Sequence, residues 1–487
     1  IAGGGLGAAT GGQQPAAADP FDRRKLFERE VLPVMTDLLR DPDSEVRSAA
    51  AVGLGKMGFP RSILDLRKAC YDEVRDVRDG AVIALGMLQD GFVLQDLEGI
   101  LLDPAQQERT RSFAAVGIGL VGGKEASAIL MDFLDPAADA RRAGGIHRTP
   151  YTEAAALTAL GFARDPDVIP ALRRDYASGT RFEPQVRSFL AVTLARLGDR
   201  EAIPFLLQGL EHAREPMRQS AAIALGILGR PGDDAVVKAL AAASLGEKDI
   251  NARQFALMGL SRIGGEEARA AVRRVLEKGP RIDLPLAALA VALGGDAEYV
   301  PVLRKRFREE KQPDLLGGFA LALGLAGDRE VAPDLRRLAF NQGDRGLRGY
   351  CLLALGLLDD RASVPDARKV VEEENDVGVK MAAATCLGLL QDPGAVPLLE
   401  RMAKEGTSVY VRSSACRLLG EVGNPRSFEP LAAIAKDAKD NSVVRMSATA
   451  ALGNLADRSL IPLLTQVGID GNYASIVDPL IEIASIM

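Results

Sequence analysis

The sequence predicts an all-α chain folded as a solenoid of about thirteen helical hairpins. The first observation is the stretch 347–365, LRGYCLLALGLLDDRASVP. There Leu347, Tyr350, Cys351, Ala354, Leu355 and Leu358 recur at helical steps and so share one face. The second is its return: VKMAAATCLGLLQDPGAVP, residues 379–397, rewrites the same text thirty-two residues on. The third is length. At 487 residues a single core would have stopped growing, whereas units that pack only on their neighbours meet no such ceiling.

Taken in order, residues 1–20 are Gly, Ala, Gln and Pro without periodicity and read as a flexible linker or tail. Such a linker often follows a signal peptide or anchor. The chain does not begin with Met, so an upstream segment removed or left out is expected; with no charged n-region or apolar h-region to show it, a cytoplasmic location is favoured over export. Residues 21–40 make one amphipathic helix, broken at Pro33, that serves as a leading half-repeat.

From Val46 to residue 475 one register holds. Position 0 is apolar, position 1 usually Arg, position 9 usually Gly, position 13 often Asp and position 18 often Pro. The anchors are Val46, Val77, Thr110, Thr152, Val186, Met217, Ala252, Asp283, Leu315, Leu347, Val379, Val411 and Val444, the weakest being Asp283, whose unit lacks the Arg. Proline at position 18 (Pro170, Pro204, Pro301, Pro333, Pro365, Pro397, Pro462) starts a second helix, where its missing N–H is not needed. Glycine at position 9 (Gly86, Gly161, Gly226, Gly356, Gly388, Gly420, Gly453) lets helix backbones approach closely, at roughly 1 kcal/mol of helix propensity each. The Arg series (Arg47 to Arg445) and the Asp series (Asp90 to Asp457) are expected to form one ladder between units, the Asp capping turns and pairing with Arg. Residues 476–487 begin another unit and stop within it. Ile476, Val477, Leu480, Ile481, Ile483 and Ile486 make it too apolar for a free helix, so it is expected to cap the last repeat or to join copies.

The strings VRSAAAVGLGKMG, MRQSAAIALGILG, VRSSACRLLGEVG and VRMSATAALGNLA resemble HEAT repeats in the short bacterial form first associated with phycobilisome-lyase subunits. The resemblance runs from about Phe21 to the C-terminus. It implies a right-handed superhelix with first helices convex and second helices lining the concave face. With layers stacked at about 10 Å, thirteen units would make a curved rod on the order of 130 Å long.

Composition narrows the task. Apolar residues make up 47%, charged residues 26% and aromatics 5%, with no Trp, which suits a core of close helix pairs. A formal charge of −6 argues against a general nucleic-acid binder. No run of eighteen apolar residues marks an integral membrane segment. Cys70, Cys351, Cys386 and Cys416 lack paired spacing and read as buried, reduced thiols. With only His147 and His212, a multi-histidine metal site is not expected, and no catalytic residue or cofactor is assigned. HEAT-like deoxyhypusine hydroxylases carry His-Glu pairs, which this chain lacks. HEAT-like DNA glycosylases need a basic concave face, which the net charge disfavours. No Rossmann, P-loop or nucleophile-elbow motif is present.

What is particular to this chain should lie where the period breaks. The forty-two-residue step from Thr110 to Thr152 inserts about ten residues carrying Arg141, Arg142, His147, Arg148 and Tyr151. The next equivalent loop adds Tyr176, Arg181 and Phe182. Together they are expected to form a basic and aromatic rim patch for an acidic protein surface, against the plainer reading of a solvated loop. The resulting functional expectation is a non-catalytic scaffold or adaptor that binds a partner protein along its concave face and rim loops. The alternatives are a self-assembling component joined through residues 1–20 and the C-terminal helix, and, from the resemblance, a bilin lyase or chaperone subunit.

Overall fold

The computed structural model describes residues 24–141, 145–341, 343–422 and 424–455, and the tail 1–20 and C-terminal segment 476–487 lie outside them. The described residues are all helical, without a strand. They form thirteen hairpins, each an outer helix followed by an inner one. The outer helices are Leu32–Leu38, Ile63–Ala69, Leu94–Leu102, Gly123–Leu134, Ile169–Ser178, Ile203–Leu210, Asp234–Gly246, Glu266–Lys278, Val300–Glu309, Ala332–Phe340, Val364–Glu373, Ala395–Glu405 and Phe428–Lys436. The inner helices are Ser44–Met57, Arg75–Met87, Glu108–Val121, Pro150–Ala163, Pro184–Arg196, Glu215–Leu228, Ile250–Ile263, Leu284–Leu293, Pro313–Leu325, Arg345–Leu357, Val377–Leu389, Val409–Val422 and Ser442–Leu455.

Local signals act as the register implies. Proline opens the outer helices at Pro170, Pro204, Pro301, Pro333 and Pro365. The residue two beyond it is sealed in the core: Leu172, Leu206, Leu303, Leu335, Ala367 and Leu399 are all 1% exposed or less. Inner helices are capped by aspartates, Asp249 accepting from Ala252 N, Asp344 from Leu347 N and Asp376 from Val379 N. Position 12 ends the inner helix in the left-handed region. Gly58 and Gly327 adopt it freely, and Gln89, Arg164, Asp359 and Gln391 adopt it at φ of 51° to 56°. Pro33 does not break its helix. The π-helical turn Phe27–Val31 runs into Leu32–Leu38, widening the turn that faces the proline ring.

The inner helices pack side by side around the molecule, and the last, Ser442–Leu455, packs on the first, Ser44–Met57. The chain is therefore a closed ring, not the open rod expected from the repeat spacing. Its faces are also the reverse of those the resemblance implies. First helices, with their Gly and Ala, are the tightly spaced ones and must lie on the shorter inner circumference. Second helices touch mainly the inner helix that follows them and form the outer layer. Each hairpin is thus a wedge, narrow where small residues meet, and thirteen wedges complete the circle.

Most of the close approaches follow one rule, Gly388 instead meeting only the Val422 side chain and Gly161 chiefly that of Arg196. A methyl added at position 9 would meet backbone at position 7 of the next inner helix: Gly226 against Gly259 Cα at 2.5 Å, Gly324 against Ala354 Cα at 2.9 Å, Gly420 against Ala451 Cα at 2.8 Å. The seam obeys it too, with Gly453 against Gly53 Cα at 2.6 Å. The ring closes through the same contact that joins its interior.

Two ionic ladders replace the single one expected. Position-1 arginines reach the acid that precedes the next inner helix. Arg47 is bidentate to Asp72 (2.9 and 3.0 Å), Arg218 to Glu247 (3.1 and 3.3 Å) and Arg412 to Asp440 (2.7 and 2.5 Å), and Arg348 meets Glu374 at 2.7 Å. The position-13 aspartates instead pair with arginines three residues past the outer-helix proline: Arg173 with Asp199, Arg304 with Asp328, Arg336 with Asp360 and Arg368 with Asp392. Asp283 is no apolar anchor. It is a fully buried acid that accepts from Arg253 Nε and from Gln254 Nε2 at 3.1 Å, and its inner helix is one turn short. Asp457 lies outside the described residues.

Candidate interaction face and ring seam

The inner helices have their outer sides covered by the outer layer and their flanks by each other, so their exposed side chains face the hole. In the later hairpins several of these are apolar, beside the exposed Arg417. Leu293, Leu357 and Leu389 end their helices at 52%, 38% and 46% exposure, Tyr350 lies mid-helix, and Tyr410 and Val443 stand near the opposite ends. Exposed apolar side chains clustered in this way differ from the scattered ones of an ordinary surface. In the second, third and fifth hairpins several of the corresponding positions are buried, among them Ile83, Met87, Phe113 and Phe189. Arg109 lies over the Phe113 ring and Arg196 over Phe162, at 5.5 and 4.6 Å.

Where the first and last inner helices meet, a groove of about 480 Å³ opens on the inner wall, bordered by Ser48, Val52, Lys56, Arg417, Met446 and Asn454. Three polar links cross this seam. Lys56 Nζ donates to Asn454 Oδ1 at 3.0 Å, Ser442 Oγ to Glu45 Oε2 at 3.5 Å, and Arg445 Nη2 to Asp41 Oδ2 at 2.5 Å. The last is a rung of the first ladder. Arg445 Nε donates to Ala435 O as Arg412 Nε does to Ala403 O and Arg348 Nε to Ala339 O. Asp41 stands five residues before Val46, as Asp72 stands before Val77.

The two rim loops meet, as their adjacency requires. Arg111 donates to His147 O at 2.5 Å, and Arg181 to Leu134 O at 2.6 Å and to Asp175 at 2.5 Å. Arg148 is drawn into the fold. Its guanidinium donates to Phe133 O and, at 2.8 Å, to Asp135 O, and pairs with Asp139 at 2.7 Å, leaving the side chain 12% exposed. Tyr176 and Phe182 are buried, whereas His147 and Tyr151 are exposed. The Arg141 side chain and Arg142 lie outside the described residues. Burial pushes the Glu153 carboxyl above its ordinary range, against the opposing pull of Arg148 and Arg181.

No group of three or more His, Cys, Asp or Glu among the described residues is placed to hold a metal ion, and no described helix is long and apolar enough to cross a membrane. All four cysteines are free and buried. His212, half-buried after an outer helix, accepts from Arg214 N through Nδ1 at 3.1 Å.

Comparison with known proteins supplies a family. The profile described as HEAT repeats matches residues 32–116, 145–226, 176–246, 338–409 and 405–477, more than half of the chain. No curated protein matches it. Among solved structures, human deoxyhypusine hydroxylase in complex with glycerol is similar at 20% identity and a TM-score of 0.25, over 61% of this chain and 96% of that one. The complex of CpcE and CpcF of phycocyanin lyase from Nostoc sp. gives 21% and 0.34, over 54% and 97%. Importin beta in an ammonium sulfate condition gives 13% and 0.39, over 96% and 72%.

Proposed function

This chain belongs to the HEAT-repeat family, and from that premise we propose that it is a non-catalytic scaffold that holds a partner protein against the inner wall of its ring. The observation that carries this reading is the exposed apolar set on the later inner helices, centred on Tyr350, Leu357 and Leu389. Apolar and aromatic side chains at the centre of a surface supply most of the affinity in protein recognition, and an amphipathic helix is the partner element that fits a groove between parallel helices. His147 and Tyr151 lie on the rim, where they would add specificity. Among the described residues the first and last inner helices are joined, so neither presents a bare hairpin face for head-to-tail stacking, which favours an adaptor over a filament.

The test is affinity capture with cross-linking mass spectrometry, run on the natural chain and on a Tyr350→Asp, Leu357→Asp, Leu389→Asp variant of matched helical content. A partner cross-linked to the inner helices and lost with the variant supports the reading. A partner retained by the variant, or cross-linked only to outer helices, refutes it.

A further inference from the structure

The first ionic ladder has one rung without an acceptor. Of the nine position-1 arginines from Arg47 to Arg445, eight donate to at least one oxygen, of a carboxylate or of a backbone carbonyl. Arg187 donates to none among the described residues, and its Nε is buried without a partner. The reason lies in the turn opposite. His212 stands as far after Arg187 as Asp72 stands after Arg47. It also holds its turn in the same way: Asp72 Oδ1 accepts from Val74 N at 2.8 Å, and His212 Nδ1 accepts from Arg214 N at 3.1 Å. The imidazole has taken the acid's place in the backbone without its charge.

The groups gathered there are all donors. With Nδ1 accepting, the proton of neutral His212 sits on Nε2. Burial, and then Arg187, hold this imidazole below its ordinary range, so it is neutral near neutral pH. Tyr176 lies under the guanidinium, with Arg187 Cζ 5.9 Å from its ring centre. Tyr176 is 4% exposed and its hydroxyl has no acceptor either. That hydroxyl is 2.8 Å from where a Cβ would stand on Gly209, three residues before His212. Gly179 makes the seat, because a Cβ there would fall on Arg187 Nη1. Asp175, next to Tyr176 in sequence, is taken by Arg181. Arg187 and His212 are half-buried while Ala213 and Arg214 are exposed, so the rung opens to solvent at the rim.

We propose that the Arg187 rung is a carboxylate-binding site completed from outside: an Asp or Glu side chain of the bound partner protein enters between the Arg187 guanidinium and His212 Nε2–H. A carboxylate suits the place because the ladder elsewhere fills it with one, held by both nitrogens of the arginine fork at Asp72, Glu247 and Asp440. The rim is thereby given the cation it otherwise lacks. Arg148 and Arg181, expected to grip an acidic surface, are tied into the fold by backbone carbonyls and by Asp139 and Asp175. The source of the carboxylate rests on the scaffold reading, whereas the site itself does not.

The test uses the full chain and fluorescein-labelled hexaglutamate, with binding read by anisotropy at about physiological ionic strength. The parent should bind, and Arg187→Gln should weaken binding by about tenfold. His212→Asp should weaken it as much although Arg187 remains, because the new acid fills the rung from within. The same substitution should raise the urea midpoint, and the rise should vanish in the Arg187→Gln, His212→Asp double variant. Arg401→Gln, which removes an exposed cation from an outer helix, should leave binding within about twofold. Unlabelled competitors identify the ligand. Acetate binding as tightly as hexaglutamate would make it a small free carboxylate and overturn the partner assignment, and inorganic phosphate binding more tightly than acetate would overturn the carboxylate. A parent that does not bind, or a parent-like affinity in Arg187→Gln or His212→Asp, sinks the proposal. None of these outcomes bears on the inner wall, which the Tyr350, Leu357 and Leu389 variant tests separately.

Discussion

Replacing Gly453 with Ala tests whether the ring is closed by packing at its seam. The added methyl carbon would sit 2.6 Å from Gly53 Cα and 3.5 Å from Gly53 C, both backbone atoms that no rotamer change can move. Carbon atoms rest at about 3.5–4.0 Å, so the two helices must part by about 1 Å. Alanine is worth about 1 kcal/mol over glycine in a helix interior, whereas forcing a methylene into a packed interface costs about 1–3 kcal/mol. With backbone on both sides the upper part of that range applies, and the substitution should destabilise by about 1–2 kcal/mol net. Gly99 supplies the control. It lies within the outer helix Leu94–Leu102 with nothing near its missing Cβ, so Gly99→Ala should stabilise by about 0.5–1 kcal/mol. Urea unfolding gives the two energies, and small-angle scattering gives the shape. At the seam no covalent link opposes separation, so Gly453→Ala should also enlarge the radius of gyration as the ring gapes. Stabilisation by Gly453→Ala equal to that by Gly99→Ala, with unchanged scattering, would refute closure by this contact.

Three further outcomes follow from the ladders and the rim. Arg445→Ala leaves Asp41 as an unpaired carboxylate in a site where the two side chains are 5% and 11% exposed, and should cost about 3–5 kcal/mol by chemical denaturation. Arg401→Ala, whose pair with Glu372 is more than half exposed, should change stability by under about 1 kcal/mol; equal effects would show the seam rung to be superficial. On acidification, the Arg412 guanidinium holds the Asp440 carboxyl below its ordinary range, and the Asp376 backbone N–H, with Arg348, does the same for Glu374. Groups with lowered folded values stabilise above their unfolded values, near 4, and lose that contribution as pH falls through the folded ones, so the midpoint in urea should hold from neutral to about pH 5 and drop below about pH 4. A midpoint unchanged down to pH 3 would contradict the ladder. Arg148→Ala strips donors from Phe133 O and Asp135 O and should cost about 2–3 kcal/mol, with faster hydrogen exchange across residues 133–149; unchanged exchange would return this loop to a solvated one.

The hairpins, their prolines and their close-packing glycines were legible because each rests on a local rule: a missing N–H, a missing Cβ, an apolar step of three or four. Ring closure was not, because it depends on the angle each wedge subtends, which no spacing records. A trace of it was present. Asp41 precedes Val46 as Asp72 precedes Val77, and Arg445 follows Val444 as Arg47 follows Val46. The first ladder's own register thus pairs the acid of the first described unit with the arginine of the last. The family resemblance puts the first helices on the convex face, whereas the small residues at position 9 place them on the tighter, inner circle. At the rim, the basic and aromatic character of the insertion was visible, but charge alone does not tell a guanidinium aimed at solvent from one that ties down three turns of backbone, as Arg148 does.

In an open repeat array the terminal units lack a neighbour on one side, so they fray, and protection against hydrogen exchange falls away toward both termini. A ring turns that linear chain of nearest-neighbour terms into one with periodic boundaries. Each of the thirteen hairpins has two flanking units, and excising any one from the packed state costs two interfaces rather than one. Partial unfolding therefore has no favoured starting end. The loss of a single interface leaves a complete open array, and only a second loss releases a segment, so the described chain should melt as one cooperative body whose first and last inner helices exchange as slowly as those opposite them.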